Sequence, residues 1–353
     1  MFEPLETDRL VLRPFGEADR EQAIRLLRND EISKTYMLPE FEDDSAAESV
    51  FRHLLSLSQQ EKHFVRAICL ENRLIGFLND VEIKGGTVEL GYVIHPDDQN
   101  QGYATEALKA SIWELFQRGY RAVQAGYFEE NPASGRVMEK SGMHPISKSE
   151  DITYRGIVHH CLYYELENPI KTLGTHIRYL PAAEEPLSAE VYCIQGKNHT
   201  YLYDVGNNNQ SLSFIRSVRN LSTAILSHPH KDHTGNVLKT KISTVYVGDR
   251  TQEILNFGTI VNETIELEEG IIIIPCPSVH TSGSLLLNVY GEYCLIGDLF
   301  YHRPPVNPVL VEQMLEALAG IDTSYFVSSH GCEKQIYPKD LFVAELRKEF
   351  EKE

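Results

Sequence analysis

One short segment of the chain carries four side chains of the types that bind divalent cations. It follows directly on the apolar stretch 221–226 and reads His228-Pro229-His230-Lys231-Asp232-His233. Imidazole nitrogens and carboxylate oxygens are donors that suit zinc, and a loop at a strand end lets several of them face adjacent cations. The chain has 14 histidines in 353 residues, so chance would produce this spacing in roughly one chain in a thousand. The segment therefore predicts a metal centre.

Three further candidate ligands lie downstream, each where a strand-like stretch ends. They are His280 in PSVHTSGS, Asp298 in LIGD and His330 in SSHG. Together with the segment at 228–233 they resemble the ligand set of the metallo-β-lactamase superfamily, over residues 174–353. The resemblance implies two zinc ions, with Asp298 bridging them. The first ion would be held by His228, His230 and His280, and the second by Asp232, His233 and His330.

The same resemblance implies hydrolysis. A hydroxide shared by the two cations would attack the substrate, and Asp232 would have a catalytic role as well as being a ligand. His230 favours a zinc hydrolase, because the redox-active iron proteins of the superfamily commonly carry a carboxylate there. The segment between His233 and His280 has no room for the inserted domain of nuclease-type members. We therefore expect a small ester, thioester, lactone or phosphodiester substrate, and we expect Asp204, in Asp204-Val205-Gly206, to support the metal loop.

A second segment with chemical potential lies in the first half of the chain. It joins a strand-like stretch to a helical stretch whose apolar residues recur at three- and four-residue steps. Small residues at a helix start let backbone N–H groups approach an anion, and the helix dipole adds a favourable field for pyrophosphate. The spacing Q-x-x-G-x-A is weak evidence by itself. The residues concerned are Gln99, Asn100, Gln101, Gly102, Tyr103 and Ala104.

The surroundings of this segment resemble GNAT acetyltransferases of the ribosomal-protein N-acetylating type, over residues 5–166. The similar stretches are LETDRLVLRP at the start, VELGYVI before the segment, and NPAS and KSGM after it. The resemblance implies acetyl-CoA as co-substrate, with residues 99–104 around its pyrophosphate and Asn131 and Ser134 on its pantetheine arm. Glu89 is the candidate general base, and an ordinary surface carboxylate is the alternative. Many members place a proton-donating tyrosine where this chain has Met138, so the general acid is left unassigned.

The hydrophobic pattern predicts two α/β domains, at 1–168 and 174–353, separated by turn and breaker residues at 167–175. The first is expected to be a GNAT-like mixed sheet with flanking helices. Its strands are predicted at 8–15, 63–70, 73–84, 87–95 and 120–128, with a final strand pair ending near residue 166. Its helices are predicted at 17–29, 45–60, 102–119 and 132–140.

The second domain is expected to be a metallo-β-lactamase αββα sandwich, because it is richer in strands and has helices at intervals between them. Helices are predicted at 209–219, 250–256, 308–319 and 338–350. Strands are predicted at 176–180, 190–196, 199–204, 222–227, 243–247, 271–275, 285–290 and 292–297.

Composition restricts the partners and the compartment. The formal charge of -18 disfavours nucleic acid and anionic membranes. The longest aliphatic run, 271–274, is far shorter than the roughly 18 residues needed to cross a bilayer, and the start of the chain does not resemble a signal peptide. A cytoplasmic protein is expected, with its 6 scattered cysteines reduced and mostly buried. Small-molecule substrates are the expected partners, with a peptide or an amine as acetyl acceptor; no oligomeric state is predicted.

Two functions are consistent with these patterns. In the first, the chain is a bifunctional enzyme that transfers acetyl groups in one half and hydrolyses a small substrate in the other. In the second, the GNAT-like half binds acyl-CoA without turnover and regulates the zinc hydrolase. Binding of acetyl-CoA with no transfer to any acceptor would favour the second function.

Overall fold

The protein divides into two compact units, Met1–Asn168 and Pro169–Glu353, in a computed structural model that describes residues 3–41, 43–301, 305–330 and 336–351. The second unit begins at Pro169, before the predicted residue 174, because residues 171–173 form a strand within its sheet. In the described ranges, no helix has the length and apolar character needed to cross a membrane. The described cysteines are buried and free: Cys69, Cys161, Cys193, Cys276 and Cys294. Cys332 lies outside the described residues.

The first unit is a mixed sheet with flanking helices. Its 8-stranded sheet has the order β1-β2-β3-β4-β5-β6-β8-β7, and only β5 and β6 pair in parallel. The strands are β1 (Leu5–Glu6), β2 (Leu10–Arg13), β3 (Val65–Leu70), β4 (Arg73–Lys84), β5 (Thr87–Ile94), β6 (Ala122–Phe128), β7 (His144–Tyr154) and β8 (Ile157–Glu167). The helices are α1 (Arg20–Leu27), α2 (Asp30–Ser33), α3 (Asp44–Ser58), α4 (Tyr103–Gln117) and α5 (Pro132–Lys140).

Helix α4 has glycines with a positive φ at both ends. Gly102 is its N-terminal cap, with φ of 83°, and Gly119 follows its last turn with φ of 86°. The left-handed conformation is accessible to glycine at little cost. Between these glycines the helix buries an apolar face that includes Leu108, Ile112 and Leu115. The face anchors α4 while leaving its first turn at the end of the loop that follows β5.

Strands β5 and β6 pair over only three positions. Thr87, Val88 and Glu89 lie opposite Ala122, Val123 and Gln124, and beyond them both strands continue without pairing to each other. The neighbouring strand β4 changes register against β5 between Asp80 and Glu82, which makes Val81 the extra residue of a β-bulge. Bulges bend a strand and re-aim its side chains. The sheet therefore opens in its centre, beside a local irregularity.

A buried carboxylate ties the first turn of the unit to β2. Asp19 accepts two hydrogen bonds of 2.7 Å from the Arg13 guanidinium and one of 2.8 Å from the Gly16 backbone N–H. Burial opposes ionisation, but these bonds outweigh it and lower the pKa of Asp19.

We expect Asp19→Asn to lower the free energy of unfolding of this unit by about 2 kcal/mol, because the charged hydrogen bonds are lost. Since the pKa of Asp19 is depressed, this stability is present above about pH 4 and is lost as the pH falls further. The difference between wild type and variant should therefore shrink in acid. Trp113, the chain's 1 tryptophan, lies buried in this unit and reports its unfolding by fluorescence. Glu21→Gln, at a carboxylate with 88% side-chain exposure, is the control and should leave the transition unchanged.

The second unit contains two large sheets and a small hairpin. The 7-stranded sheet has the order β17-β16-β15-β14-β13-β10-β9, and the 6-stranded sheet runs from β18 to β23 in chain order. The strands are β9 (Lys171–Leu173), β10 (Ile177–Leu180), β11 (Ala183–Glu184), β12 (Leu187–Ser188), β13 (Val191–Gln195), β14 (Thr200–Tyr203), β15 (Leu221–Ile225), β16 (Thr244–Val247), β17 (Thr259–Ile260), β18 (Ile265–Glu268), β19 (Ile271–Cys276), β20 (Ser284–Val289), β21 (Tyr293–Gly297), β22 (Tyr325–Ser328) and β23 (Ile336–Pro338). The helices are α6 (Asn209–Ser217), α7 (Lys231–Thr234), α8 (Asp249–Leu255), α9 (Pro308–Gly320) and α10 (Lys339–Phe350).

The two large sheets pack face to face. One apolar cluster joins Tyr192, Tyr203 and Ile225 of the first sheet to Ile273 and Leu287 of the second. A second cluster covers the other face of the 6-stranded sheet with side chains of α9 and α10. This layering brings the ends of strands from both sheets to the same region of the unit.

Candidate active sites

The structure brings all seven predicted metal ligands together. Four of them follow β15 in the loop that enters α7, His280 lies between β19 and β20, and Asp298 and His330 follow β21 and β22. The side chains form two groups, and within each group the donor atoms lie within 4.8 Å of one another. We name the first donor group His228, His230 and His280, and the second donor group Asp232, His233, Asp298 and His330.

Three imidazoles of the first donor group point their ring nitrogens at one another. His230 Nδ1 lies 3.0 Å from His228 Nε2 and 3.0 Å from His280 Nε2. The outer nitrogen of His280 lies 2.6 Å from the Tyr301 carbonyl oxygen, which only accepts, so this nitrogen carries the proton. In the neutral His280 ring, the inward-facing Nε2 atom therefore carries a lone pair. Such convergence is unfavourable without a cation or proton between the rings, and it suits a zinc ion.

The second donor group combines two imidazoles with two carboxylates. His330 Nε2 lies 2.8 Å from Asp232 Oδ2 and 3.3 Å from His233 Nε2, and His233 Nε2 lies 3.3 Å from Asp298 Oδ2. This mixture of nitrogen and oxygen donors is typical of divalent transition metals. It carries two negative charges that the first donor group does not have.

Asp298 lies between the two groups. Its Oδ2 atom is 3.9 Å from His228 Nε2 and 3.8 Å from His280 Nε2, while remaining 3.3 Å from His233 Nε2. Its Oδ1 atom is buried and has no hydrogen-bond partner in the described part of the chain. Burying a carboxylate oxygen without a partner is costly, and cation binding would remove that cost. The side chain is placed to serve both groups.

A single buried carboxylate supports one ligand of each group. Asp204 is 0% exposed and accepts hydrogen bonds from the Ser227 backbone N–H at 2.8 Å, the Ser227 hydroxyl at 2.8 Å and His233 Nδ1 at 2.7 Å. Because the Ser227 hydroxyl donates to Asp204, its oxygen accepts from His228 Nδ1 at 2.9 Å. Both rings are thereby held with their Nε2 atoms facing inward. Asp204 itself has φ of 59°, a left-handed conformation that this network holds in place.

The electrostatics of the cluster favour a cation. Burial and the neighbouring histidines lower the pKa of His228, so its ring is neutral and able to ligate. Burial also opposes the charged form of His233, but Asp204 and Asp298 outweigh it and raise the pKa of His233 to about 10. Burial alone would raise the pKa of Asp232, yet the hydrogen bond with His330 and the adjacent histidines lower it. The cluster thus combines ionised carboxylates with a neutral His228 ring, while His233 holds a proton that a bound cation would replace.

The first unit contains a groove of about 930 Å³ at the opening of its sheet. Nearly all of the predicted acyl-CoA residues line it. Gln101 does not line the groove; its carbonyl oxygen accepts a 2.9 Å hydrogen bond from the Arg9 guanidinium. The predicted residues that do line it are Glu89, Gln99, Asn100, Gly102, Tyr103, Ala104, Asn131 and Ser134.

The loop at the mouth of α4 has a defined conformation. Asn100 and Gly102 have φ of 61° and 83°, and the Gln99 side chain donates a 3.0 Å hydrogen bond to the Ile94 carbonyl. Arg9 lies 4.6 Å from the Tyr103 ring centroid and forms a 2.6 Å ion pair with Glu106. The first N–H groups of a helix have no partner within it. The loop and the helix start can therefore present them to an anion.

Glu89 lies at the last position where β5 pairs with β6. Its side chain is 17% exposed and forms a 3.1 Å ion pair with Lys148, whose ammonium lies 3.7 Å from the Tyr163 ring centroid. It is a member of the groove wall, which argues against the alternative of an open-surface carboxylate.

The groove also holds a pair of hydroxyls that could act as the general acid, a role that the sequence left unassigned. Met138 is fully buried and does not line the groove. Tyr92 does line it, and its hydroxyl lies 2.7 Å from the Ser134 hydroxyl. Burial raises the pKa of Tyr92, which keeps its proton in place. The sequence suggested only a contact role for Ser134, and the pairing of a strand residue with a helix start is not visible in any local pattern.

A histidine outside the predicted site residues, His63, also lines the groove. His63 Nδ1 lies 2.8 Å from Asp80 Oδ2, and Asp80 Oδ1 accepts a 2.8 Å hydrogen bond from the Phe64 backbone N–H. Asp80 begins the β-bulge of β4. The two residues are 17 positions apart, and the pairing of β3 with β4 brings them together. No motif or periodicity in the sequence indicates this contact.

The mixed sheet that opens beside a glycine-capped helix defines the first unit as an acyltransferase domain. A family model described as an acetyltransferase (GNAT) domain matches residues 9–144. The chain is 32% identical over 149 residues to "Uncharacterized N-acetyltransferase YoaA" of Bacillus subtilis, a match that spans 40% of this chain and 83% of that protein. The chain belongs to the GNAT acetyltransferase family through this N-terminal unit.

Solved acetyltransferase structures are similar to about half of the chain. An acetyltransferase (GNAT family) from Bacillus anthracis is 24% identical, with a TM-score of 0.42, over 47% of this chain and 99% of that one. RimL, a ribosomal L7/L12 alpha-N-protein acetyltransferase in complex with coenzyme A, is 18% identical, with a TM-score of 0.44, over 47% of this chain and 98% of that one.

Proposed function

We propose that the second unit is a metallo-β-lactamase-fold hydrolase that holds two zinc ions. The observation that carries this proposal is the convergence of seven nitrogen and oxygen donors from the ends of strands in both sheets. The face-to-face packing of the two sheets, with α9 and α10 over the outer face of the 6-stranded sheet, supports the same assignment.

In this proposal each side chain has a defined role. The first donor group holds one cation, Asp232, His233 and His330 hold the other, and Asp298 contacts both. Two such cations supply Lewis acidity and lower the pKa of water toward neutrality. Asp204 and Ser227 fix the ring orientations of His228 and His233. Asp232 completes the second donor group and can also accept a proton in the reaction.

The proposed substrate is a small ester, thioester, lactone or phosphodiester. The support is chemical: the donors are imidazoles and carboxylates, and the cations they would hold polarise a carbonyl or phosphoryl group and activate water to attack it. The chain's formal charge of -18 disfavours a polyanionic nucleic-acid substrate.

Metal analysis of the purified full-length protein, coupled to a hydrolysis panel, tests this function. We expect about two zinc ions per chain by mass spectrometry, and turnover of at least one member of a panel of thioesters, lactones, β-lactams and phosphodiesters. Dialysis against a chelator should abolish turnover, and added zinc should restore it. A protein that binds no zinc at micromolar free concentration would refute the proposal.

For the first unit we infer that acetyl-CoA is the donor and that a peptide or a small amine is the acceptor. The groove at the separated strands, with residues 99–104 at its mouth and Asn131 and Ser134 on its wall, supports the assignment. Glu89, at the point where the strands separate, is the proposed base for the amine. The Tyr92 and Ser134 hydroxyls supply a proton donor for the departing thiolate. Isothermal titration with acetyl-CoA, followed by acetylation assays on peptides and amines, distinguishes a transferase from a module that only binds.

A matched pair of glycine variants tests the pyrophosphate assignment. Gly102→Ala and Gly119→Ala both place a Cβ on a left-handed residue at an end of α4, which costs about 1–2 kcal/mol. Only at Gly102 is the strain relieved by moving the loop that faces the groove. We expect the dissociation constant for acetyl-CoA to rise about tenfold for Gly102→Ala and to stay unchanged for Gly119→Ala. Equal effects of the two variants would contradict the assignment.

A further inference from the structure

A short segment between β12 and β13 contacts the second donor group twice. In this segment, residues 188–190, Glu190 is 3% exposed, and its Oε2 atom accepts a 2.7 Å hydrogen bond from the backbone N–H of His330. The backbone N–H of Ala189 donates a 3.0 Å hydrogen bond to the carbonyl oxygen of Asp232. Two candidate ligands from distant parts of the chain are therefore attached to two consecutive residues, Ala189 and Glu190.

The contact with His330 holds a backbone conformation that is unusual for a histidine. His330 has φ of 58°, in the left-handed region that residues other than glycine rarely adopt. Such a residue stays in place only where its surroundings hold it. The Glu190 carboxylate accepts the hydrogen bond from the backbone N–H of His330. With the backbone held in this way, the His330 ring places its Nε2 atom 2.8 Å from Asp232 Oδ2.

The contacts of the 188–190 segment favour one donor group over the other. Among the residues that the structure describes, no hydrogen bond joins this segment to His228, His230 or His280. The first donor group is made of three rings, whereas the second already contains the carboxylates of Asp232 and Asp298. Glu190 adds a further buried carboxylate beside that second group, in addition to Asp204 on His233, which favours a cation there through both position and charge.

We propose that Glu190 is a positioning residue that sets the affinity of the second cation position and leaves the first largely unaffected. This inference rests on the proposed two-zinc centre. Glu190 acts through the backbone of His330 and through its charge, and it is not a ligand. Its loss converts a protein that binds two cations into one that binds a single cation at low free zinc.

Zinc titration of the full-length protein tests the inference with two substitutions that separate its parts. Glu190→Ala removes the acceptor and the charge, whereas Glu190→Gln removes the charge and keeps an oxygen that can accept from His330. Glu184→Gln, at an exposed position of β11, is the control. We expect Glu190→Ala to weaken the second dissociation constant about 10- to 100-fold with the first within about twofold, Glu190→Gln to weaken it less, and Glu184→Gln to match wild type.

Mass spectrometry under non-denaturing conditions gives a second readout, because the number of bound zinc ions at limiting free zinc should fall from two to one in Glu190→Ala. Unchanged binding in this variant, or equal weakening at both positions, overturns the inference. If Glu190→Ala does not fold, Glu190→Gln decides alone, and wild-type binding at both positions in that variant overturns it. A wild-type protein without zinc refutes the proposed hydrolase itself, so the two failures are distinguishable.

Discussion

Replacing Asp298 by asparagine should remove most of the proposed hydrolase activity while leaving the fold in place. The Oδ2 atom of Asp298 lies 3.3–3.9 Å from ring nitrogens of both donor groups, so one substitution weakens both cation positions. Loss of several kcal/mol of transition-state stabilisation corresponds to a fall in kcat of about 1,000-fold. Bound zinc at limiting free concentration should fall below two ions per chain.

The measurements are kcat on the best substrate of the hydrolysis panel and zinc content by mass spectrometry. Asp340→Asn, at an exposed carboxylate in the first turn of α10, is the matched control and should retain both zinc and turnover. Acetyl-CoA binding by the first unit should be unaffected in either variant. Full zinc binding and full turnover in Asp298→Asn would exclude the assigned bridging role.

Replacing Asp204 by alanine should destabilise the second unit more than any surface change. The substitution removes three hydrogen bonds of 2.7–2.8 Å at a site with no exposure and leaves His233 buried beside Ser227 without its carboxylate. Breaking a buried charged pair by removing one partner costs about 3–5 kcal/mol. Both zinc positions should also weaken, since each loses the support of one ring.

Calorimetry of the full-length protein checks this expectation, because each unit has its own core and should give its own transition. The transition of the second unit should move to lower temperature in Asp204→Ala. The unfolding of the first unit, followed by Trp113 fluorescence, should be the same as in wild type and acts as an internal control. A variant whose second transition is unmoved would show that Asp204 contributes little to stability.

The convergence of the seven candidate metal ligands could be predicted from the sequence because their chemistry is concentrated in short motifs. Four of them lie within six positions, and His280, Asp298 and His330 each end an apolar stretch. The glycine-capped helix α4 was equally visible, since its apolar stripe and its flanking glycines are local features. The long helices α9 and α10 begin and end within one residue of their predicted bounds.

The elements that sequence reasoning missed are short and depend on distant partners. Lys171–Leu173 lies in the stretch expected to be a linker, but it is a strand because it pairs with Ile177–Tyr179. The helix predicted at 17–29 is instead a 3-10 turn followed by α1, and α2 is a separate helix whose cap is the Asn29 side chain. Strands β11 and β12, with two residues each, carry too little periodicity to be recognised, and β22 was also missed.

The site residues that were missed act through long-range contacts. Glu190 accepts a hydrogen bond from the backbone of a residue 140 positions away, and His63 meets Asp80 because β3 pairs with β4 beside it. Periodicity and motif spacing record neither. The Gln101 carbonyl accepts from Arg9, and Gln101 does not line the groove; this contact joins residues 92 positions apart, so no local pattern records it.

The early separation of β5 from β6 affects hydrogen exchange along β5. From Leu90 to Ile94, the side of β5 that faces β6 has no strand partner among the described residues, so amide protons in the middle of a sheet can exchange with solvent. An extended ligand with its own amide groups can form hydrogen bonds with this unpaired edge of β5, as an added strand does. Amide hydrogen exchange at these β5 positions should therefore slow when such a ligand binds in the groove. The slowing should increase with the number of amide groups in the ligand.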